Sequence, residues 1–177
     1  MIDIYFALIF LLGVLFQLLC GGLGLYLPVV AVLVFYAATV AGMVRGIIYA
    51  LVFGIIVDIF MGWSFPWSTL ACLAIVFFAG FWGDRQMLRP AIVNFFPGMI
   101  AAAIQGVFLL PSRMIGGGFL YFLWNIWLPV FIAGIVFGAL FLPLMVTVLD
   151  YFSFLLKLPR YQDARKHSES QKSRWRL

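Results

Sequence analysis

The sequence predicts an all-α integral membrane protein with six transmembrane helices, and three observations carry that prediction. Of 177 residues, 66% are hydrophobic and 10% are charged, whereas a soluble domain is about 45–50% apolar and about 25% charged. So few charges cannot clothe a water-soluble surface of this size. The apolar residues run in long unbroken blocks instead of the alternating segments of a membrane β-barrel, so the spanning elements are helices. The basic residues, finally, fall where six spans would collect nearly all of them on one side. The same composition excludes disorder, which needs high charge and low hydrophobicity. A disulfide scaffold is excluded too, because the two cysteines, Cys20 and Cys72, both lie in apolar runs.

A helix needs roughly 20 residues to cross a hydrocarbon core of about 30 Å. Polar residues, glycines and prolines divide the chain into spans at 4–19, 23–44, 46–61, 66–83, 91–111 and 128–149. The first has an apolar core but no positive region before it, Asp3 being its only charge, and Leu19 is not the small residue expected before a lipid-modified cysteine. It is expected to stay in the mature protein. The second span opens the boundary at Arg45, and the third and fourth are short for their task. Between the fifth and sixth lies the aromatic stretch FLYFLWNIW at 119–127, expected along the membrane interface because Asn125, Trp124 and Trp127 suit it.

Arg45, Arg85, Arg89 and the tail residues Lys157, Arg160, Arg165, Lys166, Lys172, Arg174 and Arg176 share one side in this arrangement, with Arg113 on the other. The positive-inside rule then makes both termini cytoplasmic. Tyr26, Trp63, Trp67, Trp124 and Trp127 fall near the outer boundaries, and Tyr5, Trp82 and Tyr151 near the inner ones. The expected organisation is a six-helix membrane domain at 1–156 and a basic cytoplasmic tail at 157–177.

Within the spans, Asp58 is the one ionisable residue away from a span end. A carboxylate there costs roughly 2.5–3.5 kcal/mol on insertion scales and needs a partner, a proton or water. Gly46, Ala50, Gly54, Asp58 and Gly62 recur every fourth residue, which predicts one smooth helix face that another helix can approach closely. Asp58 is therefore read as an interhelical hydrogen-bonding residue, or a helix C-terminal group near the outer interface, in preference to a proton or ligand site, because no His, Lys or Glu in a span could relay a proton from it. Gln17, Thr39, Thr69, Asn94, Gln105 and Thr147 are scattered, as packing contacts would be. Gly134 and Gly138 form a G-x-x-x-G pair, read as internal packing ahead of a dimer face.

Catalysis lacks ingredients. The single histidine, His167, is in the tail; no Ser-His-Asp set or carboxylate pair suggests itself; and Gly116-Gly117-Gly118 lacks the Lys-Ser/Thr of a phosphate loop. No enzyme activity, cofactor or metal is expected. The tail, with Asp163 and Glu169 its only acids, reads as a topology anchor drawn to anionic lipid and not as a nucleic-acid surface.

The run Gly54-Ile-Ile-Val-Asp58-Ile-Phe-Met-Gly62, followed by Pro66 and an apolar helix, resembles the signature of the MreD family of bacterial rod-shape-determining membrane proteins. The likeness in motif covers about residues 46–83. Length, span layout and the late Pro143, Phe152 and Lys157 are similar as well, while Trp67 stands where the family often has a glycine after the proline. The resemblance implies a non-catalytic subunit of the cell-elongation machinery in the cell inner membrane. Such a subunit binds the single-pass scaffold MreC, beside RodA and a class B penicillin-binding protein, with MreB indirectly, and supports peptidoglycan synthesis. It implies partner or helix-packing roles for Gly46, Ala50, Gly54, Asp58, Gly62 and Pro66. It also implies a fold similar to the substrate-binding S components of energy-coupling-factor vitamin transporters, and an S component is the alternative function. The first span has Ala7 and Gly13 but no repeated A-x-x-x-A pattern, which lowers that alternative. A small proton-coupled transporter using Asp58 is a third possibility, lowered by the missing relay.

Overall fold

The computed structural model describes residues 2–22, 27–85 (83–85 by backbone alone), 95–110 and 127–156, with Leu158 and Tyr161. These residues form six helices and no strand: α1 (Ile2–Gly22), α2 (Val29–Ala41), α3 (Met43–Phe60), α4 (Trp67–Arg85), α5 (Phe95–Leu109) and α6 (Leu128–Leu155). α1, α3 and α6 are long and apolar enough to cross a membrane, α2 and α5 are shorter apolar helices, and α4 counts among the shorter ones over Trp67–Trp82. The interfacial reading of 119–127, except Trp127, and the tail beyond Tyr161 lie outside the described residues, as do Tyr26, Asn94 and Arg113.

The second span is the one whose length differs most. The continuous apolar stretch predicts a helix over 23–44, but α2 has 13 residues, about 20 Å at 1.5 Å per residue. Backbone chemistry sets its described ends. Pro28 precedes the first turn, and Gly42, at φ 90°, breaks the chain before α3 starts at Met43. A helix apolar on every side belongs in an interior. Residues 29–38 are all buried, and α2 touches α1, α3, α4, α5 and α6. It is the hub of the bundle, with Tyr36, Phe35 and Leu33 among the largest fully buried side chains. α1 shows the opposite pattern: Ile4, Leu8, Leu12, Leu15 and Leu19 are exposed along one side, while Phe6, Phe10, Val14 and Gln17 face inward.

Side-chain contacts fix the directions of the helices. Gln17 near the end of α1 meets Val30 at the start of α2. Ala38 near the end of α2 meets Gly46 near the start of α3, and Asp58 at the end of α3 meets Ser68 at the start of α4. Trp127, just before α6, donates its indole N–H to the Gly106 carbonyl near the end of α5 at 3.3 Å. Tyr5 in the first turns of α1 donates to the Leu149 carbonyl of α6 at 3.0 Å. The chain thus runs up and down, and the beginning of α1 and the end of α6 lie at the same end. Trp63, Trp67 and Trp127 gather at the opposite end from Tyr5, Trp82 and Tyr151, the segregation expected of two interfacial belts.

α5 and α6 pack through small residues. Gly98, Ala102 and Gly106 lie at every fourth position of α5 and are all buried. Gly138 of α6 sits against Gly98 so closely that a Cβ on Gly138 would lie 2.6 Å from the Gly98 carbonyl oxygen and 2.6 Å from Ala102 Cβ. Phe131 covers Gly106 and stacks on Trp127, ring centroids 4.4 Å apart. Gly134 is buried too, but its Cβ position is open to 4 Å. Of the G-x-x-x-G pair, then, Gly138 makes the close helix approach and Gly134 leaves a gap.

Candidate functional site

Asp58 lies in the last turn of α3, 5% exposed. Its carboxylate reaches across to the first turn of α4, where backbone N–H groups have no partner within their own helix. Ser68 N–H donates to Oδ1 at 2.8 Å. Thr69 donates twice to Oδ2, from its N–H at 3.0 Å and its hydroxyl at 2.7 Å. The carboxylate therefore caps α4 from another helix, and an anion at a helix N-terminus also meets the favourable end of the helix dipole. This arrangement gives a buried carboxylate what it needs in an apolar medium: each oxygen is hydrogen-bonded.

The turn between the two helices is built to allow it. Trp63 N–H donates to the Asp58 carbonyl at 3.1 Å and Gly62 N–H to the Ile59 carbonyl at 3.1 Å, a Schellman closure with Gly62 at φ 68°. The placement of Gly62 on the small-residue face is corrected by this geometry. It stands past the end of α3, is exposed, and serves as the left-handed residue that ends the helix. Pro66 is exposed immediately before α4, where its missing N–H costs nothing.

Gly46, Ala50, Gly54 and Asp58 do share a buried face. A Cβ on Gly54 would lie 2.6 Å from Thr69 Cα, and one on Gly46 would lie 2.8 Å from Ala38 Cβ and 2.9 Å from Ala38 Cα. The close approach that this face permits is used inside the chain, by α4 at Gly54 and by α2 at Gly46. Cys72 and Val76 continue the buried side of α4.

A second buried carboxylate lies at the other end of the bundle. Ending the sixth span at residue 149 puts Asp150 outside the membrane helices, yet α6 continues to Leu155 and Asp150 is 7% exposed. Asp58 is therefore not the only buried carboxylate among the described residues. Asp150 Oδ1 accepts from the Tyr36 hydroxyl at 2.8 Å and from Tyr161 N–H at 2.9 Å, while Oδ2 is buried with no partner among the described residues. Ser153 Oγ donates to the Tyr5 hydroxyl at 3.3 Å beside it. At the same end the Tyr49 hydroxyl donates to Asp3 at 2.6 Å, and Arg45 Nε lies 3.7 Å from Asp3. Its position at a span edge hides Asp150 in the sequence. The available signal is Ser153 three residues on, which puts a second polar side chain on the same helix face.

The remaining polar side chains mostly serve backbone. Gln17 Oε1 accepts from Val30 N–H at 2.9 Å and so caps α2 from α1. Thr39 and Thr147 donate to the carbonyls of Phe35 and Pro143 four residues earlier, each at 2.8 Å. Gln105 is 1% exposed, and its Oε1, Gln17 Nε2 and Ser68 Oγ have no partner among the described residues. Cys20 and Cys72 are free thiols, and among the described residues no group of three or more His, Cys, Asp or Glu is placed to hold a metal ion.

Comparison with protein-family models, with curated proteins and with solved structures finds no match to this chain.

Proposed function

We propose that the chain is a non-catalytic subunit of the bacterial cell-elongation machinery, of the MreD type, that binds an MreC-like single-pass scaffold in the cell inner membrane and supports peptidoglycan synthesis. The observation that carries this reading is the use made of the Gly54–Asp58–Gly62–Pro66 run. Its carboxylate, its close-approach glycine and its helix-ending glycine together build one rigid joint between two membrane helices. A motif spent on helix geometry suits a protein whose work is to present a shaped helical surface to another membrane protein. In this reading the bundle crosses the membrane six times with both termini cytoplasmic, and the shared end of α1 and α6 faces the cytoplasm, where the basic tail meets anionic lipid. RodA, a class B penicillin-binding protein and, indirectly, MreB are the further partners.

The alternative, an S component of an energy-coupling-factor transporter with the corresponding fold, draws on a different observation. Gln17, Ser68 and Gln105, each with a buried polar atom unpartnered among the described residues, belong to the outer half of the bundle in this orientation, and a small polar ligand could use such groups. Two measurements on the full chain separate the readings. Affinity purification in a gentle detergent is expected to recover the MreC-like protein, and its absence contradicts the elongation role. Calorimetric titration with vitamins is expected to give no heat of binding; tight, stoichiometric uptake overturns the scaffold reading in favour of transport.

A further inference from the structure

The turn between α3 and α4 has the wrong surface for a loop in water. Between Arg45 and Asp84 the one charged side chain is Asp58, and it is buried with both oxygens hydrogen-bonded. What the turn shows outward is apolar: Ile59 is 70% exposed, Phe60 67% and Phe65 47%, with Trp63 and Trp67 half-buried beside them. Phe65 and Trp67 pack together across Pro66, ring centroids 4.6 Å apart.

The backbone of the turn is closed on itself. Met61 N–H donates to the Val57 carbonyl, Gly62 N–H to Ile59 and Trp63 N–H to Asp58. On the far side Trp67 N–H donates to the Phe65 carbonyl and Leu70 N–H to Pro66, while those of Ser68 and Thr69 go to the Asp58 carboxylate. Pro66 has no N–H to satisfy. Irregular backbone is costly near hydrocarbon because its polar groups go unpaired there, and internal pairing lowers that cost.

Helix length places the turn independently. Arg45, 48% exposed in its side chain with Nε 3.7 Å from Asp3, marks a polar boundary at the start of α3. From there to Phe60 the helix rises about 22 Å at 1.5 Å per residue, less than a hydrocarbon core of about 30 Å. With Arg45 at one boundary, the turn meets the opposite one without standing clear of it. We infer that the α3–α4 turn is a lipid-binding surface: it lies in the headgroup–acyl boundary of the leaflet opposite Arg45 and fixes the depth of the bundle there. The inference rests on the bundle lying in a bilayer and on nothing about its protein partners.

The test is power-saturation EPR on the full chain in phosphatidylcholine vesicles, with the buried Cys20 and Cys72 replaced. A spin label at Ser64→Cys reports the exposed tip of the turn, and Phe65→Cys repeats the reading if that variant does not fold. Leu12→Cys, on the exposed side of α1, reports whether the bundle is in the bilayer at all. The Leu12 label is expected to be relaxed by oxygen and not by a water-soluble nickel chelate. The Ser64 label is expected to stay open to oxygen while meeting the chelate roughly fivefold less often than free label in water. A Ser64 label as open to the chelate as free label overturns the inference. A label closed to both reagents overturns it as well, because protein then covers the turn. A Leu12 label open to the chelate contradicts instead the bilayer placement on which the inference rests.

Discussion

Asp58 and Asp150 are the same chemical group placed in comparable burial, and they differ in what surrounds them. Asp58 receives three donors from one helix terminus, a set that hydrogen-bonds both its oxygens. Its replacement leaves two backbone N–H groups and a hydroxyl at the start of α4 without an acceptor. Asp58→Ala is therefore expected to destabilise the protein by roughly 2 kcal/mol, a figure that allows for the modest worth of hydrogen bonds between membrane helices. Asp58→Asn keeps one acceptor oxygen and is expected to lose about half as much. Equilibrium unfolding in detergent measures both, and an Asp58→Ala variant as stable as the wild type contradicts the capping role. The carboxylate is legible in the sequence as an interhelical group because it lies in an apolar run, where it needs a partner, and no His, Lys or Glu in a span could relay a proton from it. Its acceptor pattern is not, since nothing in the spacing of residues 58, 68 and 69 reveals that the turn between them folds back so tightly. Gly62 is what closes that turn, and its every-fourth spacing concealed this: periodicity continues past a helix end, while backbone conformation does not.

At the scale of elements, glycine contacts separate close helix packing from empty space. On Gly138 a Cβ meets the Gly98 carbonyl oxygen and Ala102, both parts of the α5 wall, at 2.6 Å. Neither neighbour is the free end of a flexible side chain. Gly138→Ala is expected to force α5 and α6 apart at a cost of about 1–3 kcal/mol. Gly134→Ala, four residues away, adds its methyl to open space and gains helix propensity, so it is expected to be neutral or to stabilise by up to about 1 kcal/mol. Paired thermal melts of the two variants check this, and equal destabilisation by both contradicts the packing described. The matching seam on α5, Gly98–Ala102–Gly106, obeys the same spacing rule as the face of α3. No charged residue draws the eye to it, and the sequence does not say which helix it meets. The ends of α2 were hidden for a related reason. Hydropathy is continuous from residue 23 to 44, so only Pro28 and Gly42, acting through the backbone, mark where the hub helix starts and stops.

For the whole molecule, composition made the class of protein plain: long apolar blocks admit helices and little else, and each of the six helices overlaps one of the apolar spans read from the sequence. The alternation of helix directions follows from contacts at both ends of the bundle, from Gln17 with Val30 to Tyr5 with Leu149. It leaves the start of α1 and the end of α6 together. What a sequence pattern does not supply is depth. A hub helix of 13 residues is too short to cross a bilayer core of about 30 Å unaided, and it can sit in the membrane because five other helices surround it. The proposed role and the cytoplasmic placement of the tail both depend on an even number of crossings. Side-specific labelling tests this most directly, with single cysteines introduced as Gly116→Cys and Lys172→Cys in a chain whose Cys20 and Cys72 have been replaced. A membrane-impermeant maleimide applied to intact spheroplasts is expected to label position 116 and to reach position 172 only after the membrane is opened. Labelling of both positions from the same side would contradict the six-crossing arrangement.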